Sequence, residues 1–247
     1  MIVILGSTHD DILYFESIMS NKKEVSVMNR FPAIMGNIFN QETILVYNVY
    51  SNYVSSVVTS YLNERYFVLL VFNVGKVIAL NNDLSNGDIV VSKKCYLGDV
   101  DLTDNTNTNI GEIPEFPAYY ETQFDVIDSL ENSLEIRTLI PNKVGTYISL
   151  NKDLYSRDQL NDICAEDAVF GENKNIVLDS TLGGVCVACA IQKIPFVAVK
   201  VVYKRIGEKT SAKEYANVLK SYTGVGKAIV TCIGNISRND IIRGEEH

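Results

Sequence analysis

Apolar residues fall along this chain in short runs, each closed by a polar or glycine-containing turn. Met1–Leu5 is one such run, stopped by Gly6-Ser7, the pattern of a buried strand and a turn. Thr43–Val49 and Asp88–Cys95 read as further strands. Tyr66–Asn73 is continuously β-branched, aromatic or leucine up to its final asparagine, as expected of a strand covered on both faces. Gly145–Leu150, Asn175–Leu178 and Phe196–Tyr203 repeat the pattern. Helical spacing marks Tyr53–Glu64, Glu121–Glu131, Leu182–Lys193 and Ser211–Tyr222. Strands alternating with helices predict an α/β fold with parallel strand pairs. No repeat or low-complexity linker divides the sequence, so residues 1–247 read as one domain.

Two stretches break the alternation. Asp101–Tyr120 runs from polar Asp104-Asn-Thr-Asn-Thr-Asn109 into Pro114-Glu-Phe-Pro-Ala-Tyr-Tyr120, a long loop suited to a pocket rim, a subunit contact or plain surface. Gly224-Val-Gly226-Lys227 has a phosphate-loop flavour, but Ser221 and Ala228 stand where such a loop needs glycine and a hydroxyl. It reads instead as a helix-to-strand turn.

Composition narrows the function classes. Hydrophobic residues make up 47% and charged residues 21%, the balance of a folded globular chain. Charge is −8, from 22 Lys+Arg against 30 Asp+Glu, and no basic run exceeds a pair. Nucleic acid and anionic membranes are therefore not expected partners. The N-terminus has no basic leader, and the apolar runs fall far short of the ~18 residues of a membrane span. A cytoplasmic protein is expected. The only histidines are His9 and His247, which leaves no metal site and no serine-type triad in view. Cys186 and Cys189 form a CxxC inside an apolar helix pattern and read chiefly as reduced core residues.

Asn86-Gly87-Asp88-Ile89-Val90-Val91-Ser92, followed by Tyr96-Leu-Gly-Asp99-Val100-Asp101, resembles the GDIVV strand and its continuation in the nucleoside phosphorylase/nucleosidase superfamily. Within it the nearest likeness is to the methylthioadenosine/S-adenosylhomocysteine nucleosidases. Asn73-Val74-Gly75 resembles their Asn-Thr-Gly, Ile194-Pro195-Phe196-Val197 their Val-Pro-Phe-Val, and Val3-Ile-Leu-Gly6 their first strand and turn. The resemblance spans nearly the whole chain. It implies a central mixed β-sheet flanked by helices on both faces, a purine-nucleoside-like small-molecule ligand, no cofactor, and a homodimer with Pro114–Tyr120 at or near the interface.

The same resemblance assigns site positions. Such enzymes break an N-glycosidic bond through an oxocarbenium-like sugar, using an acid for the departing base, an anchor for the ribose hydroxyls and an oriented nucleophile. Asp11 stands where the family's water-orienting glutamate belongs, one methylene shorter; equally, it could simply open a helix. Ser180-Thr181, preceded by Asp179, occupy the place of the Met-Glu pair whose glutamate grips the ribose. Lys204 ends Lys200-Val-Val-Tyr203-Lys204, where the family has its acidic aspartate. Lys76-Val-Ile-Ala79 replaces Ser-Ala-Gly-Gly, which crowds the ligand's approach to backbone while bringing a cation toward the pocket. Lys152-Asp153-Leu154-Tyr155 is similar to Gly-Asp-x-Phe, so Tyr155 is the stacking aromatic and Asp153 the loop-holding residue.

Two functional readings follow. In one, the chain keeps the fold and binds a nucleoside-like ligand with little or no cleavage. In the other, it is an active nucleosidase with rearranged residues, Lys204 or Asp179 replacing the missing carboxylates. Phosphorolysis has the least support, because Thr8-His9-Asp10-Asp11 offers acid where phosphate needs cations or open N–H groups.

Overall fold

Ten strands join in one mixed sheet in the computed structural model, which describes residues 1–80, 83–104, 107–137, 142–152, 159 and 175–244. Strand β1 (Ile2–Gly6) runs parallel to both of its neighbours, β4 (Gln41–Val46) and β5 (Leu70–Ala79). On its far side β5 meets two strands, β10 (Phe196–Arg205) in parallel and β9 (Ile176–Asp179) antiparallel. Through β6 (Ile89–Leu97) and β8 (Asn142–Ser149) these strands close a ring, β5–β10–β6–β8–β9. Closure leaves no free edge on that side of the sheet. The other side ends in the hairpin β2 (Ser20–Val27) and β3 (Phe31–Ile38), while β7 (Tyr120–Glu121) adds a short pairing to β6.

Helices cover both faces of the sheet. On one side α2 (Asn52–Arg65) packs on α4 (Leu182–Gln192), burying Val58, Leu62, Leu182 and Val185 with Val3, Val71 and Val202. The opposite side holds α1 (Leu13–Ile18), α3 (Phe124–Arg137) and α5 (Ala212–Gly244), with Phe15, Leu130 and Ile229 against Ile4, Phe72 and Val199. Strand β5 supplies both cores, Val71 and Val77 to the first and Leu70, Phe72 and Val74 to the second. That is why its apolar residues do not follow a strict alternation.

The α/β class and the helices on both faces agree with expectation. Three details differ. Strand β5 does not stop at Asn73 but continues through Lys76–Ala79, which pair with β10 and β9. The hairpin β2–β3 was not predicted, because β2 is almost wholly exposed and carries no apolar alternation.

The third difference is a correction: Gly224–Lys227 is not a turn, but lies within the long helix α5. At Gly226 a Cβ would come within 2.2 Å of the Tyr14 ring, so this glycine lets α5 pass close over α1. Gly226→Ala should therefore destabilise the fold. Helix propensity gains about 1 kcal/mol, but overpacking in a tight contact typically costs ~1–3 kcal/mol. The expected net loss lowers the midpoint by a few degrees in a thermal melt; an unchanged or raised midpoint contradicts the close contact.

Candidate functional site

Strand β10 carries Lys200 in the middle of Phe-Val-Ala-Val-Lys-Val-Val, where it is only 1% exposed. An ammonium withdrawn from water in this way requires a counter-charge. Asp179, the last residue of β9, supplies it: its Oδ1 takes the Lys200 ammonium. Asp179 Oδ2 accepts the backbone N–H groups of Thr181 at 2.8 Å and Leu182 at 2.5 Å. Lys200 also donates to Thr181 Oγ1 at 2.8 Å, and the Thr181 hydroxyl donates to Asn73 Oδ1 at 3.1 Å. Burial alone would raise the Asp179 carboxyl, but Lys200 and the two N–H donors outweigh it and hold it below its ordinary value.

The first turn of α4 is satisfied completely from within the chain. Gly183 N–H donates to Ser149 Oγ at 2.9 Å and Gly184 N–H to Asn52 Oδ1 at 3.2 Å. With Thr181 and Leu182 on Asp179, the N–H groups that a helix start leaves free all have partners. The end of the helix that attracts anions already holds the protein's own carboxylate.

Asp11 sits in a short 3-10 turn, His9–Asp11, directly after β1 and is buried. Its Oδ2 accepts Thr8 N–H at 2.8 Å, and its Oδ1 accepts the Tyr222 hydroxyl of α5 at 2.7 Å. Burial first, and the adjacent Asp11 charge second, push the Tyr222 phenol far above its usual value, so it stays a donor. Gly75 on β5 backs onto this group: its φ is +144°, and a Cβ there would lie 3.4 Å from Asp11 Oδ2. Only glycine adopts that backbone without strain.

Beside the Asp179 corner lies a cleft of about 100 Å³. Its walls include Lys76, Val77 and Ile78 of β5, Lys152 after β8, the Asp179-Ser180 corner and Tyr203 of β10. Small-molecule pockets usually occupy ~300–1,000 Å³.

The structure therefore gathers Lys76, Asp179 and Ser180 around one cleft, with Thr181 buried behind them. Lys76 donates to the Tyr215 hydroxyl at 3.2 Å and lies 5.4 Å from that ring's centroid. Lys204 follows a bulge in β10 and stands over the Tyr203 ring at 5.4 Å. Asp153 and Tyr155 lie outside the described residues. Lys200, Asn73 and Tyr222 were missed as site residues by the sequence reading. Lys200 had a visible signal, a charge inside an unbroken apolar strand; Tyr222 had none.

A second, larger hollow of about 630 Å³ is walled by Pro117, Tyr119, Tyr120, Cys189, Ile194 and Phe196, among others, so the aromatic end of the long loop does form a rim. Cys186 and Cys189 are buried free thiols; burial pushes both up, Cys189 to about 12, as for inert core cysteines. Among the described residues no group of three or more His, Cys, Asp or Glu could hold a metal, and no helix is long and apolar enough to cross a membrane.

A sheet ringed at one end, helices on both faces and a cleft at the β9–α4 corner define a nucleoside phosphorylase-like protein. The sequence model of the phosphorylase superfamily matches residues 1–232, and the chain belongs to that family. Over 202 residues it is 25% identical to a 5'-methylthioadenosine/S-adenosylhomocysteine nucleosidase of Staphylococcus epidermidis, covering 82% of this chain and 85% of that protein. Its fold matches the Neisseria meningitidis nucleosidase solved with methylthio-immucillin-A, with a TM-score of 0.81 and 19% identity over 94% of this chain and 97% of that one. It matches Helicobacter pylori futalosine hydrolase equally well, with a TM-score of 0.82 and 19% identity over 95% and 97% of the two chains.

The buried pair makes a stability prediction. Lys200→Met leaves the Asp179 charge without its cation, and removing one member of a buried pair costs about 3–5 kcal/mol. Asp179→Ala should cost at least as much, because it also releases the Thr181 and Leu182 N–H groups. Replacing both, as Asp179→Asn with Lys200→Met, should recover part of the loss. Since folded Asp179 titrates below its unfolded value of about 3.9, its contribution is complete above that pH and is lost as pH falls through the folded value. Urea denaturation between pH 2 and 7 tests this: Asp179→Asn should flatten the acid limb, and a Lys200→Met protein as stable as wild type would contradict the pair.

Proposed function

We propose that this chain binds a purine nucleoside or a related small molecule at the cleft and performs little or no standard N-glycosidic cleavage. The observation that carries the reading is the Lys200–Asp179–Thr181–Asn73 network. At the positions that the family resemblance assigns to the ribose anchor, Thr181 and its neighbouring carboxylate are both bonded internally. Asp11 is similarly engaged, one oxygen on Thr8 and the other on Tyr222. Cleavage needs a free acceptor for the ribose hydroxyls and an acid for the base. Lysine, with a reference pKa of ~10.4, is a reluctant acid at neutral pH and adds positive charge beside a cationic transition state.

A second reading, an active methylthioadenosine/S-adenosylhomocysteine-type nucleosidase with rearranged residues, is favoured by the position of Asp11. It remains buried after β1 and against Gly75, and exchange of the Tyr222 hydroxyl for water would free one oxygen. The relatives' own activities support this reading too. Phosphorolysis has less support still, because the start of α4 is filled by Asp179.

The test is release of free adenine from methylthioadenosine or adenosylhomocysteine by the purified chain. The expected rate is far below the ~10 per second of a typical enzyme. Robust release that disappears in Asp11→Asn would establish the second reading instead.

For assembly we infer a homodimer through the Pro114–Tyr120 region. Phe116 is partly exposed beside the hollow that Pro117, Tyr119 and Tyr120 line, and aromatics of this kind are enriched at subunit contacts. Light scattering at micromolar concentration should give twice the 27.5 kDa chain mass; a particle of 27.5 kDa refutes the dimer.

A further inference from the structure

We propose that the cleft selects a ligand bearing an anionic substituent, a carboxylate or a phosphate, held between Lys76 and Lys152. This rests on the reading of the cleft as the nucleoside-like site and names the chemistry that it recognises.

Among the described residues three charged side chains line the cleft: Lys76, Lys152 and Asp179. The carboxylate is already neutralised from behind by Lys200, so the lining retains the charge of its two lysines. Neither lysine has a carboxylate at ion-pair distance among the described residues. Lys76 meets only the neutral Tyr215 hydroxyl and ring face. A third ammonium, Lys204, stands over Tyr203, whose side chain is part of the same wall.

Among the described residues this pairing of lysines on one wall occurs in a chain of net charge −8. The remaining walls, Val77, Ile78, Leu150 and Leu178, are apolar and lower the local dielectric, which strengthens an ion's attraction to the lysines. Ser180, exposed at the corner, adds a hydroxyl donor. A carboxylate or phosphate would engage both ammonium groups with charge-assisted hydrogen bonds, which a neutral ribose hydroxyl cannot match.

Calorimetric titration and thermal shift of the full chain test this with adenosine, adenosine 5′-monophosphate, adenosine-5′-carboxylic acid and inorganic phosphate. Both charged nucleosides should bind about tenfold more tightly than adenosine, the gain of one charge-assisted hydrogen bond. The preference should shrink with added salt and vanish in Lys76→Met and Lys152→Met, which keep the side-chain stems and should melt like wild type. Whichever charged nucleoside binds better identifies the substituent. Adenosine binding as tightly as the charged probes would overturn the proposal while leaving nucleoside binding intact. Inorganic phosphate shifting the melt as much as the monophosphate would also overturn it, since the anion would then be held without a nucleoside. No response to any probe would remove the nucleoside-binding reading itself, and the proposal with it.

Discussion

A lysine placed in the middle of an apolar strand is the constraint around which this structure is arranged. Lys200 lies on β10 between the two strands that complete the ring, and nothing in the surrounding valines can stabilise its charge. The carboxylate that meets it comes from the end of β9, two strands away along the sheet, and only ring closure brings the two together. Once there, Asp179 also fixes the start of α4 through two N–H groups. Strand, helix and ion pair thus stabilise one another. Losing either charge leaves the other buried without compensation, which is the expensive state for such a pair.

The same arrangement shapes the chemistry. The buried pair satisfies its own charges within the fold. Thr181 gives its hydroxyl proton to Asn73 and accepts from Lys200, so the position that resembles a ribose anchor serves the fold. Asp11 is held likewise by Thr8 and Tyr222. Among the described residues, the cleft is lined by the Lys76 and Lys152 side chains, apolar walls and the already paired Asp179. The chain belongs to the phosphorylase superfamily, and membership of a fold does not by itself fix function.

Much of the architecture was legible from periodicity alone. Continuous apolar runs such as Met1–Leu5 and the apolar spacing of Leu182–Lys193 mark a buried strand and a buried helix, because burial on both faces favours apolar residues throughout. Boundaries were less legible. Strand β5 extends past Asn73 because Lys76–Ala79 gain partners on β10 and β9, and a strand's length depends on what pairs with it. The glycines at 224 and 226 looked like a turn; one of them is a clearance for Tyr14 on a helix more than 200 residues earlier in the chain. Local composition cannot distinguish a glycine that bends the backbone from one that admits a neighbour.

For the site, the chain's own residues determined which chemistry was present: an aspartate after the first strand, an Asp-Ser-Thr corner, a lysine inside β10, and no histidine beyond His9 and His247. The tertiary structure decided which of those groups face solvent and which face one another. Nothing in the spacing of Asp179 and Lys200 says that they form an ion pair, since the pairing depends on strand order and on the faces that β9 and β10 present. Nor does the sequence couple Tyr222 to Asp11 across most of its length. Hydrogen bonds and ion pairs act over a few ångströms, so residues far apart in sequence acquire their roles only when packing brings them within that range.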